Sequence, residues 1–342
     1  MKILILKPSS LGDVIQALPV LRLLKLHFPG AEIYWWIDSA LAPLLEDDPD
    51  LAGIILFHRK RWKSPLHWSE VVRSVRATRA HRFDLVIDLQ SLFRSAVFAW
   101  FARGKKLAGL DDGREGANGF YDLAVPRKNY LTHAVDWYLA VLAALNIPVH
   151  KNFTWLPENK KISDAVKQKW PALKPKAEDS KLIFLQPGAR WENKRWPAEH
   201  FAALVRALEN NFPSARFVVV GGGDDGPLGE KISAAAPDKV MNLCGRTSLP
   251  EMVELLRLAD LLVTNDTGPM HVAAALGKPV VALFGPTEAR RTGPYGQLEN
   301  VLRIPLPCAP CMSPTCNFSK PQECLRALPP EMVFNKVRTI FA

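Results

Sequence analysis

Short apolar runs rich in β-branched residues alternate with helical patterns along this 342-residue chain, and the alternation starts twice. Ile3 to Leu6 leads into helical spacing from Asp13 to His27, then come Glu32 to Ile37, Gly53 to Phe57 and Leu85 to Asp88. A second series begins at Leu182 to Gln186 and continues through a helix from Ala198 to Asn211, Arg216 to Val220, a helix from Pro250 to Leu258, Leu261 to Thr264 and Val280 to Phe284. Parallel strands need crossover connections, usually helices, so this rhythm predicts an α/β fold with two parallel-sheet domains. Pro148 to Lys181, rich in Lys and Pro, reads as a partly helical linker. The expected division is a first domain over 1–160, a linker over 161–180 and a second domain over 181–325. Open parallel sheets bind ligands at the carboxyl ends of their strands, so the loops after the strands should carry the chemistry, and two domains facing across a cleft would share one site.

With 48% hydrophobic and 23% charged residues the whole chain can bury a core. No apolar run reaches the roughly 18 residues of a membrane span, since Val272 to Phe284 is broken by Lys278 and Pro279. Met1 to Lys7 reads as a first strand and not as a signal-peptide core, so a cytosolic protein is expected. The net charge of +10 favours an anionic partner, whether nucleotide, nucleic acid or acidic lipid. The basic residues concentrate between Phe57 and Arg82, where eight (Arg59, Lys60, Arg61, Lys63, Arg73, Arg76, Arg79 and Arg82) face one acid, Glu70. Arg73, Arg76, Arg79 and Arg82 fall three apart, as on a solvated helix face.

Three loops stand out. In Lys7-Pro-Ser-Ser-Leu-Gly-Asp13, Gly12 allows close backbone approach, Ser9 and Ser10 offer hydroxyls, and free N–H groups at the helix start attract an anion. Asp13 there is an acid beside an anion-attracting turn, and could equally be a carboxylate serving only the helix dipole. Gln186 to Pro197 crowds Arg190, Lys194 and Arg195 into one loop, as stabilising a departing diphosphate would require, although a solvated basic loop looks the same. Thr264 to His271 joins a strand end to a helix that Asp266 or Thr267 could cap, with Gly268 permitting close approach and His271 one turn in.

Gly221-Gly-Gly-Asp-Asp-Gly226 matches the dinucleotide-binding spacing. The next strand-like stretch, Lys239 to Asn242, lacks the acid expected about 20 positions on, and Pro227 and Gly229 should interrupt the helix start, so hydride transfer is not expected. Cys308, Cys311, Cys316 and Cys324 lie close in sequence and could hold a structural metal, without matching a diagnostic spacing.

Lys7-Pro-Ser-Ser-Leu-Gly-Asp-Val14, Phe83 to Ser95, Lys194-Arg-Trp-Pro197 and Asn265 to Leu276 together resemble the ADP-heptose:lipopolysaccharide heptosyltransferases over almost the whole chain. The Arg/Trp-rich stretch from Arg59 to Trp68, Asp88-Leu-Gln90 and Arg114 before Phe120-Tyr121 are more similar to the heptosyltransferase I branch. The resemblance implies a GT-B architecture of two Rossmann-like domains, with a C-terminal helix over 326–342 packing back on the first. It also implies an inverting, metal-independent transfer of L-glycero-D-manno-heptose from ADP-heptose to a Kdo hydroxyl of Kdo-lipid A, by a monomer on the cytosolic face of a bacterial inner membrane, with no nucleic-acid partner and no catalytic cofactor.

On the same resemblance Asp13 is the catalytic base. Donor contacts fall to Ser10, Gly12, Ala189, Arg190, Lys194, Asp225, Thr247, Asp266, Thr267, Gly268 and His271, and acceptor contacts to Arg59, Arg61, Lys63 and Arg114. Two positions depart from the family: Ala189-Arg190 stands where Thr-Thr is common, and the Gly-rich run leaves Asp224 or Asp225 as the nucleoside acid. Rival readings are a heptosyltransferase II-type or UDP- or GDP-sugar transferase, a nucleotide-sugar 2-epimerase, and a nucleic-acid-binding protein, the last without an aromatic-basic or zinc-finger signature.

Overall fold

The computed structural model describes residues 1–113, 115–173 and 180–342. They form two units, Met1–Pro157 and Glu158–Ala342. The first runs β1 (Lys2–Leu6), α1 (Leu11–His27), β2 (Glu32–Asp38), β3 (Gly53–Phe57), α2 (Trp68–Ala80), β4 (Leu85–Asp88), α3 (Phe93–Ala102), β5 (Lys106–Asp111), β6 (Leu123–Pro126) and α4 (Ala134–Ala144). Its sheet is parallel, in the order β3-β2-β1-β4-β5-β6, with Ile5 paired to Trp35 on one side and Ile87 on the other. β1 and β4 are covered on both faces, which is why their sequences are continuously apolar. From Val14 to Leu24 α1 is buried on every side, including Gln16 and Arg22, so it carries no amphipathic stripe. The Arg22 guanidinium meets both Asp48 oxygens at 2.6 and 2.5 Å, Asp50 at 2.7 Å and the Trp155 carbonyl at 3.1 Å.

The second unit runs α5 (Lys160–Lys169), β7 (Leu182–Gln186), α6 (Ala198–Asn211), β8 (Arg216–Val219), α7 (Gly226–Ser233), β9 (Val240–Asn242), α8 (Leu249–Leu258), β10 (Leu261–Asn265), α9 (Gly268–Ala275), β11 (Val280–Leu283), α10 (Ala289–Thr292), β12 (Val301–Leu302), α11 (Glu323–Arg326) and α12 (Pro330–Phe341). Its parallel sheet, β12-β11-β10-β7-β8-β9, repeats the first unit's topology. In each sheet the winding reverses beside the first strand, between β1 and β4 and between β7 and β10.

Three boundaries differ from the sequence expectation. α5 belongs to the second unit and is no free linker: Asn159 caps it, Ser163 and Val166 are buried, it packs on α8, and Lys169 pairs with Glu251 at 2.8 Å. Residues 174–179 of the expected linker lie outside the described residues. α12 joins the second unit's core through Val333 and Val337, four apart on one face, and packs on α6, where Phe341 meets Phe212 edge to face. α7 starts at Gly226 and runs through the two residues expected to break it, because Pro227 falls in the first turn, where proline is tolerated, and Gly229 gives way to the Asn242 side chain. Among the described residues no helix is long and apolar enough to cross a membrane.

Candidate active site

At the first unit's reversal point Lys7, at the end of β1, donates through Nζ to the Leu89 carbonyl at the end of β4, 2.9 Å away, bridging the switch. Its ammonium also lies 4.8 Å from the Tyr138 ring centroid. Burial works against its charge, but Tyr138, Asp13 and Asp88 around it outweigh that and hold its pKa above the ordinary lysine value. Asp13 lies in the first turn of α1. The Ser10 N–H and Oγ donate to its Oδ2 at 2.9 and 2.7 Å, and the Tyr138 hydroxyl stands 3.4 Å from its Oδ1. The carboxylate thus serves the helix start and also faces a buried cation–phenol pair. Gly12 is buried and Ser10 is exposed. Tyr138 comes from α4, far along the chain, and no local motif marks it.

Asp88, at the end of β4, is fully buried. It accepts from the Gln90 and Ser91 N–H groups at 2.8 and 3.3 Å and from the Tyr121 hydroxyl at 2.9 Å. Tyr121 lies flat on Gly109, where an added Cβ would stand 2.5 Å from the ring. Burial outweighs the hydrogen bonds and pushes the Asp88 carboxyl above its ordinary pKa. Asp88→Ala strands these three donors in the interior and should lower stability by at least about 3 kcal/mol, at roughly 1–3 kcal/mol per orphaned group, measurable as a shifted urea midpoint. A raised carboxyl favours the folded state most in acid, so the Asp88 ionisation contributes stability below its unfolded pKa and loses it as pH rises through the folded value.

The second unit's switch is bridged in the same way: Asn265, ending β10, donates through Nδ2 to the Pro187 carbonyl after β7 at 2.7 Å and accepts from the Trp196 N–H at 3.0 Å. That clamp holds the basic loop beside the β10–α9 turn. Lys194 meets Asp266 Oδ2 at 2.6 Å and lies 4.5 Å from the Trp191 ring centroid. Arg195 is turned back onto the Ala189 carbonyl at 2.9 Å, whereas Arg190 is exposed and Ala189 buried. Thr267 takes the N-cap position of α9, yet neither it nor Asp266 caps with its side chain, because Asp266 is engaged by Lys194 and by Thr287. Gly268 opens α9, and His271 is buried in its first turn.

Thr287 and Glu288 escaped the sequence reading. Both are buried in the loop after β11; the Thr287 hydroxyl donates to Asp266 Oδ2 at 2.6 Å, and the Arg290 side chain holds the Glu288 carboxyl below the usual carboxylate range. The available signal was Gly285-Pro-Thr-Glu288 at a strand end, the same place as the loops that were found.

The Gly-rich run is shaped around Asp225, whose carboxylate accepts from the Gly222 N–H at 2.9 Å and fills the space that a Cβ on Gly188 or Gly221 would need. Asp224 is exposed, and Thr247 lies half-buried just before the Ser248 cap of α8.

The acceptor candidates divide. Arg59 and Lys63 line a pocket described below, Arg61 is paired with Glu70, and Arg114 lies outside the described residues. Arg73, Arg76 and Arg79 are exposed on α2, Arg76 at the rim of that pocket, whereas Arg82, expected on the same helix face, lies beyond the end of the helix. Among the described residues no group of three or more His, Cys, Asp or Glu is arranged to hold a metal. Cys308, Cys311, Cys316 and Cys324 are free thiols, with Cys324 pushed up to about 11 by burial and then by its cysteine neighbours.

Two doubly wound parallel sheets of one topology, each with charged side chains gathered at its switch point, make this a protein of two Rossmann-like units, the GT-B fold class. More narrowly, the chain belongs to glycosyltransferase family 9 (heptosyltransferase), whose model matches residues 71–321. It is 32% identical over 341 residues to lipopolysaccharide heptosyltransferase 1 of Pseudomonas aeruginosa, covering 94% of this chain and 89% of that protein. Lipopolysaccharide heptosyltransferase 2 of Salmonella typhimurium is also 32% identical, over 321 residues, covering 89% of this chain and 88% of that one. The solved structure of Escherichia coli ADP-heptose LPS heptosyltransferase II is 25% identical, with a TM-score of 0.77 over 99% of this chain and 98% of its own.

Proposed function

We propose that this protein transfers L-glycero-D-manno-heptose from ADP-heptose to a Kdo hydroxyl of Kdo-lipid A, with inversion, at the cytosolic face of a bacterial inner membrane. The observation that carries the reading is the Lys194–Asp266 pair at a switch point, in a chain of heptosyltransferase ancestry. Lys194 spends one N–H on Asp266 and keeps two for diphosphate oxygens. The α9 N-terminus, with Thr267 and Gly268, supports the same anion, and exposed Arg190 adds a guanidinium in place of a hydroxyl contact. Both protein contacts to Asp266 fall on Oδ2, which leaves Oδ1 for a sugar hydroxyl. Asp225, rather than solvent-facing Asp224, takes the nucleoside ribose, with Thr247 and His271 completing the donor contacts.

Asp13 accepts the acceptor hydroxyl's proton as the bond to the anomeric carbon forms and ADP leaves. Positive charge from Lys194 and helix N–H groups balances the departing diphosphate, so no metal enters this mechanism. Arg59, Arg61 and Lys63 meet the anionic acceptor, and Arg114 is proposed with them on the resemblance alone. The two relatives at 32% identity carry the numbers 1 and 2, so identity does not choose the branch. The Arg59 to Trp68 segment favours type I, which accepts Kdo-lipid A itself.

The test is ADP release from ADP-heptose by the purified chain in EDTA, with and without Kdo-lipid A. Acceptor-dependent, EDTA-resistant release with a product heavier by one heptose is expected. A folded, ADP-binding protein that shows no acceptor-dependent release would overturn the reading.

A further inference from the structure

In the first unit α2 and α3 enclose a pocket of about 490 Å³, within the roughly 300–1,000 Å³ range of small-molecule sites. Its lining includes Trp36 and Phe98, stacked with centroids 4.5 Å apart, and the apolar side chains of Val75, Val97 and Phe101. Four cations share that lining: Arg59, Lys63, Arg76 from α2 and Arg94 from α3. None of the four has an ion-pair partner among the described residues, whereas Arg61, which does not line the pocket, takes Glu70, the one acid of the segment.

An apolar hollow ringed by uncompensated positive charge matches a molecule with a hydrocarbon tail and an anionic head. A bare sugar would leave the aromatic lining unfilled. A flat membrane surface would satisfy the cations without entering the pocket. We propose that this pocket takes one fatty acyl chain of the anionic lipid acceptor, with Arg59, Lys63, Arg76 and Arg94 holding phosphate or carboxylate groups of its head. This rests on the acceptor reading above and adds the lipid tail to it: the chain is recognised together with the sugar.

The experiment has a binding arm and a turnover arm, both on the full chain. In the first, lysophosphatidic acids of 8, 10, 12 and 14 carbons are titrated by calorimetry. Affinity should rise about fourfold per added methylene, the ~0.8 kcal/mol of a buried CH2, and level off once the pocket is full. Val75→Trp on α2 and, independently, Val97→Phe on α3 should flatten the series, the two positions guarding against local misfolding of either helix. R76E/R94E should weaken every member by a similar factor of at least ~10. In the turnover arm KM is compared for Kdo-lipid A and its fully deacylated form. The acylated acceptor should have a KM at least ~10-fold lower, and both filling variants should abolish that difference.

Affinity independent of chain length, or a length dependence that survives both filling variants, would overturn the pocket assignment. Length-dependent binding with equal KM for both acceptors would overturn the acceptor's own chain as occupant and point to bulk membrane lipid. Length-dependent binding that the filling variants abolish, with no heptosyl transfer to either acceptor, would support the acyl pocket while the transferase reading alone fails.

Discussion

Asp13→Asn should lower kcat for heptosyl transfer by about 10²–10⁴-fold while leaving ADP affinity and thermal stability close to the parent, because the loss is of a proton acceptor. The amide keeps an oxygen for the Ser10 N–H and Oγ, which now donate at 2.9 and 2.7 Å, so the start of α1 is preserved. Ser10→Ala removes only one of those donors and should cost less than ~10-fold. A purely structural Asp13 predicts the reverse order of sensitivity: an unchanged kcat in Asp13→Asn, whose amide oxygen keeps both bonds, and a lowered melting temperature in Ser10→Ala, which loses one. Single-turnover measurement at saturating donor separates the two, and an Asp13→Asn protein retaining more than about a tenth of parental kcat would remove Asp13 as the base.

Arg22→Leu should destabilise the first unit by about 3–5 kcal/mol, the cost of leaving a buried charge without its partner. The Arg22 and Asp48 side chains are only 4% and 5% exposed, and Asp50 and the Trp155 carbonyl depend on the same guanidinium. This cluster ties α1 to the turn between β2 and β3 and to the segment after α4, so its loss should also loosen the helix that carries Asp13. R22L/D48L removes both charges and should recover a large part of the loss, since paired buried charges are often replaceable by apolar side chains. Denaturant unfolding of the two variants decides it; equal destabilisation in both would mean that packing, and not the unpaired carboxylate, sets the cost.

Much of the site was legible because it is locally encoded. Gly12 and Asp13, the Lys194 loop and the Asp266–Gly268 turn each follow an apolar run, and a strand end that feeds a helix places such residues at the ligand edge of a parallel sheet whatever the rest of the chain does. Thr287 and Glu288 obey the same rule but lack a cation or a serine pair to draw attention. Tyr138 and Lys7 could not be read, since their meeting depends on α4 and β1 being brought together from opposite ends of the first unit. The arginine cluster was visible as composition only; that Glu70 takes Arg61 and leaves Arg59 and Lys63 beside an aromatic pocket is a matter of side-chain geometry.

The sequence alone therefore determined two parallel α/β domains and the strand-end loops of the candidate site, because hydrophobic period and strand-end residue types act over a few positions, and its motifs carried the resemblance to the family. The tertiary structure decided which of those residues share a site: Asp13 with Tyr138, Lys194 with Asp266 and Thr287, and Asn265 with Pro187. It also drew α5 and α12 into the second unit, because each carries a buried face that only that core fills. Those pairings follow from strand order and from burial between residues 21 to 125 positions apart, which short-range pattern does not encode.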